Sequence, residues 1–152
     1  MSHSASPLNT LIELARGSRD QAGQALASER QNEHQVSGQL ESLQQYRLEY
    51  AQRLQQAMRD GIDPATMRNY QQFLDSLDAA LARAREALAA QQQRVGQRQA
   101  QWQQEQRKLS SYHTLASRRE GQQRRQEARQ EQRTSDELVN GRLARTRHAG
   151  DT

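Results

Sequence analysis

The chain has no cysteine, so disulfides and thiol chemistry are excluded. No run of about 18 apolar residues occurs, and nothing reads as a membrane span. The opening Met1-Ser-His-Ser-Ala-Ser-Pro7 lacks a basic stretch followed by an apolar block, so it does not read as a secretory signal, and a cytoplasmic protein is the expectation. Aromatic residues are scarce, with one Trp, one Phe and four Tyr, and only 33% of the residues are hydrophobic. That is too little for a large core with a buried catalytic cleft; Gln, Arg, Ala, Glu and Leu dominate, as in a long solvated helix with a narrow apolar stripe. The four histidines, His3, His34, His113 and His148, are scattered, whereas a metal site needs convergent ligands. There is no glycine-rich phosphate loop and no Ser-His-Asp set that a narrow fold could assemble away from water. The expectation is therefore no catalytic residue, no cofactor and no metal. Lys108 is the only lysine, so the net charge of +4 is carried by arginine. Such an excess can attract nucleic acid, anionic lipid or an acidic protein surface. Glu and Asp are interleaved with the Arg nearly everywhere, however, which reads first as solvated helix faces.

What is present is one chain reversal, Asp60-Gly-Ile-Asp-Pro-Ala-Thr66. Gly61 ends a helix and tolerates positive φ. Asp63 can cap a new helix with its carboxylate, and Pro64 fits the first helical position, where no N–H is needed. Ser6-Pro7 repeats the logic at the start of the chain. The fold class is accordingly all-α, a long antiparallel two-helix coiled-coil hairpin: helix one over about 7–59, a turn at 60–63 and helix two over about 64–139. Residues 1–6 and 140–152 are expected to be disordered.

Steps of four and three define a seam on each helix. On the first it runs Leu8, Ile12, Ala15, Arg19, Ala22, Leu26, Glu29, Glu33, Val36, Leu40, Leu43, Arg47, Tyr50, Leu54 and Ala57. On the second it runs Met67, Tyr70, Leu74, Leu77, Leu81, Ala84, Leu88, Gln91, Val95, Arg98, Trp102, Glu105, Leu109, Tyr112 and Ala116. The same positions then become Arg119, Gln123, Gln126, Gln130, Arg133 and Glu137, so the seam ends at Ala116. Folding at residue 62 brings Tyr50 to Leu74, Leu43 to Leu81, Ala22 to Trp102 and Leu8 to Ala116. Helix two runs out of seam where helix one runs out of partners, which supports an intramolecular hairpin with a single-helix overhang from about 117. Gly17, Gly23 and Gly38 each weaken helix one by about 1 kcal/mol relative to Ala, so it needs its partner.

Two regions invite a functional reading. Near the turn, a second stripe runs beside the seam: Gln39, Leu43, Tyr46 and Tyr50 on helix one, and Phe73, Leu77, Ala80 and Ala84 on helix two. It either thickens the seam or forms an exposed patch for another protein, since contiguous apolar surface marks binding sites and Tyr is favoured among anchors. The second region, 117–137, is a mixed-charge run. It reads equally as a solvated helix held by i,i+4 Glu–Arg pairs, at roughly 0.2–0.5 kcal/mol each, or as an arm that a partner grips.

Ser6-Pro-Leu-Asn-Thr-Leu-Ile-Glu-Leu-Ala15, Leu43-Gln-Gln-Tyr-Arg-Leu-Glu-Tyr50, Asn69-Tyr-Gln-Gln-Phe-Leu-Asp-Ser-Leu77, Trp102 and Ser117-Arg-Arg-Glu120 together, in this order and spacing, resemble the flagellar export protein FliJ family over most of residues 6–138. The resemblance implies a component of the bacterial flagellar type III export apparatus, an antiparallel coiled coil similar to the stalk of the rotary ATPase gamma subunit. It implies as partners the hexameric export ATPase, the membrane export gate protein FlhA and export chaperones, and peripheral association with the inner face of the cell membrane through them. Family positions tied to the gate match Gln39, Leu43, Tyr46, Tyr50, Phe73, Leu77 and Ala80; the pattern's further polar position falls at Ala84. Arg118, Arg119, Arg124 and Arg125 are candidates for the ATPase-ring contact, since the arginine fork suits carboxylates on a pore wall. The resulting expectation is a non-enzymatic coupling rod between ATPase and gate. A generic coiled-coil tether or oligomerisation module is the rival reading, and a nucleic-acid-binding rod the third; no nucleic acid partner is expected.

Overall fold

The computed structural model describes residues 6–150. Two helices, α1 (Pro7–Asp60) and α2 (Pro64–Ala149), account for nearly all of them, and there is no strand among the described residues. They pack against one another as an antiparallel hairpin. The chain divides into two units, residues 16–106 and residues 1–15 with 107–152.

The first of these units contains the turn. Gly61 has a φ of 87°, a value that places a Cβ against the following carbonyl in any other residue. Asp63 then caps α2: its carboxylate accepts from the Thr66 backbone N–H at 3.4 Å and from the Thr66 hydroxyl. These bonds hold the Asp63 carboxyl below the usual carboxylate range, the hydroxyl bond most, against a smaller opposing effect of burial. Leu77 and Leu81 are buried, as are Ala22 and Leu26. Trp102 lies so close to α1 that a Cβ on Gly23 would stand 3.3 Å from its Nε1. The glycine that weakens the helix is thus what admits the only indole.

Polar residues in this seam are paired. Gln91 is only 5% exposed; its amide donates to the Glu29 backbone carbonyl at 3.0 Å and to the Glu29 carboxylate. Such a pair penalises slippage of one helix along the other, because displacement would bury both groups without partners. Arg19 donates to Gln106 at 3.4 Å while holding Asp20 at 2.9 Å. Among the expected seam residues Arg98 alone is exposed; it donates to Gln101 on its own helix instead, at 3.3 Å.

In the other unit, Leu8, Ile12, Ala15 and Leu109 form a buried cluster, with Tyr112 and Ala116 packed on it. Ser6 caps α1, its hydroxyl accepting from the Asn9 N–H at 3.3 Å. Past Ala116 every described residue except Gly121 and Gly141 is exposed. The helix nevertheless runs on to Ala149, beyond the end expected near 139. Gly141 costs about 1 kcal/mol there, but Arg142, Leu143, Ala144 and Arg145 are good helix formers and no proline intervenes. Gly150 closes it by donating to the Thr146 carbonyl at 3.2 Å. Of the segments expected to be disordered, residues 1–5 and 151–152 lie outside the described residues.

Candidate functional site

On α1, Gln39 and Tyr46 stand one residue before the seam positions Leu40 and Arg47. On α2, Phe73 and Ala80 stand one residue before Leu74 and Leu81. Antiparallel pairing puts these two flanking rows on the same side. The Tyr46 and Phe73 rings accordingly meet edge to face, their centroids 6.0 Å apart and their planes at 87°. Tyr50, a seam residue, sits at the centre of the cluster, with ring centroids 4.4 Å from Phe73, 5.1 Å from Tyr70 and 6.4 Å from Tyr46. Each such pair contributes about 0.5–1.5 kcal/mol beyond area burial.

The residues of the expected stripe are not equally available. Tyr46 is 43% exposed and Leu77 only 7%. Leu43, Tyr50, Phe73, Ala80 and Ala84 are half-buried, and Gln39 is exposed. Tyr46 therefore presents the most aromatic surface, whereas Leu77 serves the core beneath it. Gln39 and Leu43 also line a shallow open groove with Gly38 and Ser42. Beside the cluster Arg47 reaches across to α2 and forks onto the Asp78 carboxylate. The hydrogen bond, and secondarily the charge, raise the Arg47 guanidinium further above its ordinary value. The same hydrogen bond holds the Asp78 carboxyl below the usual range, opposed by a little desolvation.

The four arginines past the seam are not gathered into one patch. At about 100° per residue, Arg118 and Arg125 share a face, while Arg119 and Arg124 point elsewhere. Arg124 pairs with Glu120 at 3.5 Å, both side chains at least 70% exposed, and Arg125 donates to the Gly121 carbonyl at 3.2 Å. Among the described residues no cluster of three or more His, Asp or Glu could hold a metal ion, and no helix is long and apolar enough to cross a membrane.

Sequence reasoning missed a second apolar flank. Leu11, Leu14 and Leu115 are exposed by 43%, 64% and 44%. Leu11 precedes the seam residue Ile12 and Leu115 precedes Ala116, the same one-residue offset as Tyr46 and Phe73, so the signal was available. Leu138, Val139 and Leu143, exposed by 63%, 52% and 54%, lie off the positions that continue the seam past Ala116, so the three–four spacing does not pick them out.

Comparison with known proteins points one way. The family model described as "Flagellar FliJ protein" matches residues 4–148. A "Flagellar FliJ protein" of Salmonella typhi is 32% identical over 132 residues, covering 87% of this chain and 90% of the relative. A protein of the same name from Escherichia coli (strain K12) is 31% identical over 132 residues, with the same coverage.

Proposed function

Because this chain belongs to the flagellar FliJ protein family, we propose that it works in the bacterial flagellar export apparatus as a coupling rod between the hexameric export ATPase and the export gate protein FlhA, and that it also handles export chaperones. It does so from the cytoplasm, associated peripherally with the inner face of the membrane through its partners, and without enzymatic chemistry of its own. The single observation that carries the reading is the aromatic cluster around Tyr50. Two-helix packing is satisfied by the seam, yet Tyr46 adds a ring that is 43% exposed and held in place by Phe73. A fixed, half-exposed tyrosine offers a partner contact area at little entropic cost. The gate would dock over Gln39, Leu43, Tyr46, Tyr50, Phe73 and Ala80, with Leu77 supporting them from below. The arm, through Arg118, Arg119, Arg124 and Arg125, would meet carboxylates of the ATPase ring. Their spread around the helix suits contacts that tolerate several rotational settings.

The test is binding of purified gate protein to Tyr46→Ala and Phe73→Ala chains, with helicity followed by circular dichroism. Loss of about tenfold or more in affinity at near-native helicity is expected for an aromatic anchor. Parallel loss of helicity and binding would assign the rings to the core and sink the docking role. A chain lacking residues 117–152 should keep gate binding but stimulate ATP hydrolysis by the ring less. Full stimulation by the truncated chain would show the arm to be solvated helix only.

A further inference from the structure

The exposed stretch of α2 beyond the seam carries a stripe of its own. Glu127, Glu131, Thr134, Leu138, Arg142, Arg145 and Ala149 follow one another at steps of four, three, four, four, three and four. This row stands one residue, or about 100°, past the positions that continue the seam as far as Leu138, and one or two residues past them beyond it, so it does not extend the hairpin interface. All seven of its residues are exposed. Leu138 at its centre is 63% exposed, and Val139 and Leu143 along one edge are 52% and 54% exposed. The row forms shallow open surfaces on either side of Leu138, one including Glu127, Glu131 and Thr134 and the other Arg142, Arg145 and Ala149.

Two features of the row select its occupant. The spacing is palindromic about Leu138, so two copies laid antiparallel superimpose their stripes, Leu138 on Leu138 and Thr134 on Arg142. The charges are then self-complementary: Glu131 of one copy falls opposite Arg145 of the other, with Glu127 and Arg142 within a turn of that pair. An acidic partner would leave Glu127 and Glu131 opposite like charge, and a basic one would do the same to Arg142 and Arg145. An anionic bilayer would repel the two glutamates, and the stretch holds none of the aromatic residues that anchor helices at that interface. We propose that the Glu127–Ala149 stretch of α2 is a self-pairing surface, which joins two copies of this chain through an antiparallel, two-fold symmetric contact centred on Leu138. The contact is small and belongs to the weak, transient class.

The proposal is independent of the gate and ring contacts, and two charge-exchanged full-length chains test it. Glu127→Arg with Glu131→Arg makes the row wholly basic; Arg142→Glu with Arg145→Glu makes it wholly acidic. Sedimentation equilibrium at low salt, over about 10–500 µM as suits a weak interface, should show the unaltered chain passing from monomer to dimer. Each exchanged chain alone should stay monomeric, because all its cross-pairs are like-charged. An equimolar mixture should recover the dimer, since both pairs between positions 131 and 145 become opposite-charged. Leu138→Ser should weaken self-association at least tenfold without changing helicity. A wild-type chain that stays monomeric throughout overturns the proposal. So does a dimer that survives in either exchanged chain alone, or a mixture that fails to associate. Binding of the wild-type chain to phosphatidylglycerol vesicles, lost on Leu138→Ser and with no self-association, would replace the second copy by a lipid surface.

Discussion

Residues 107–116 and residues 117–149 lie on one uninterrupted helix, and they are held by different forces. The first stretch buries Leu109 to 3% exposure against Leu8, Ile12 and Ala15. The second leaves almost everything in water and relies on helix-forming composition and local pairs such as Glu120–Arg124. Helical conformation is therefore no sign of tertiary support here. The seam, not the composition, marks where the hairpin is stabilised.

Truncating the two stretches should separate them most sharply. Leu109→Ala or Leu81→Ala should lower unfolding stability by about 2–5 kcal/mol, whereas Leu143→Ala should stay within about 0.5 kcal/mol. Urea titrations followed at 222 nm read the difference; equal losses would mean that the outer stretch is packed too.

Backbone changes come next in size. Gly61→Ala should cost about 1–2 kcal/mol in the same titration, because its φ is positive. Gly38→Ala should stabilise by up to about 1 kcal/mol, since a Cβ there meets open space. Gly23→Ala carries the same propensity gain but forces the Trp102 ring to move, so it should gain less than Gly38→Ala. Finding Gly23→Ala the more stable of the two would show that Trp102 is not seated against α1.

The smallest effect is electrostatic. Asp63 and Asp78 both have carboxyls held below the ordinary range when folded. Their contribution is therefore complete above the unfolded carboxyl value of about 3.9 and disappears as pH falls through the lower folded values. Asp78→Asn should flatten the acid limb of the stability profile slightly and leave neutral-pH helicity unchanged. An acid limb identical to wild type would mean that the Arg47–Asp78 pair is not maintained in solution.

Much of this was legible in the residues. A seam is a strict geometric demand, so three–four spacing located its side chains, and the Gly61–Asp63–Pro64 punctuation located the reversal. Arg98 departed from its place because a guanidinium gains more from water and Gln101 than from a narrow interface. Glu29 and Gln91 are polar residues in the seam, and spacing reports polarity but not pairing; only the three-dimensional register shows that they satisfy each other. Ala22 was expected opposite Trp102, yet the absent side chain of neighbouring Gly23 makes the room. For the aromatic stripe, one-residue offsets revealed which rings share a flank. They did not reveal that Leu77 lies beneath the others, because depth depends on how closely the helices approach. The outer stripe around Leu138 escaped notice because it follows a different phase from the seam that precedes it.

The Gly61 turn also sets an order in time. Tyr50 and Phe73 lie only about two dozen residues apart along the chain, whereas Leu8 and Leu109 are separated by about a hundred, and loop-closure entropy rises with that distance. The aromatic end is thus the inexpensive place to begin pairing, and each further layer then closes only a short additional gap. During synthesis α1 emerges ahead of the α2 residues that pair with it. Pairing begins once the first turns of α2 follow Asp63, and the Leu8–Leu109 cluster closes last.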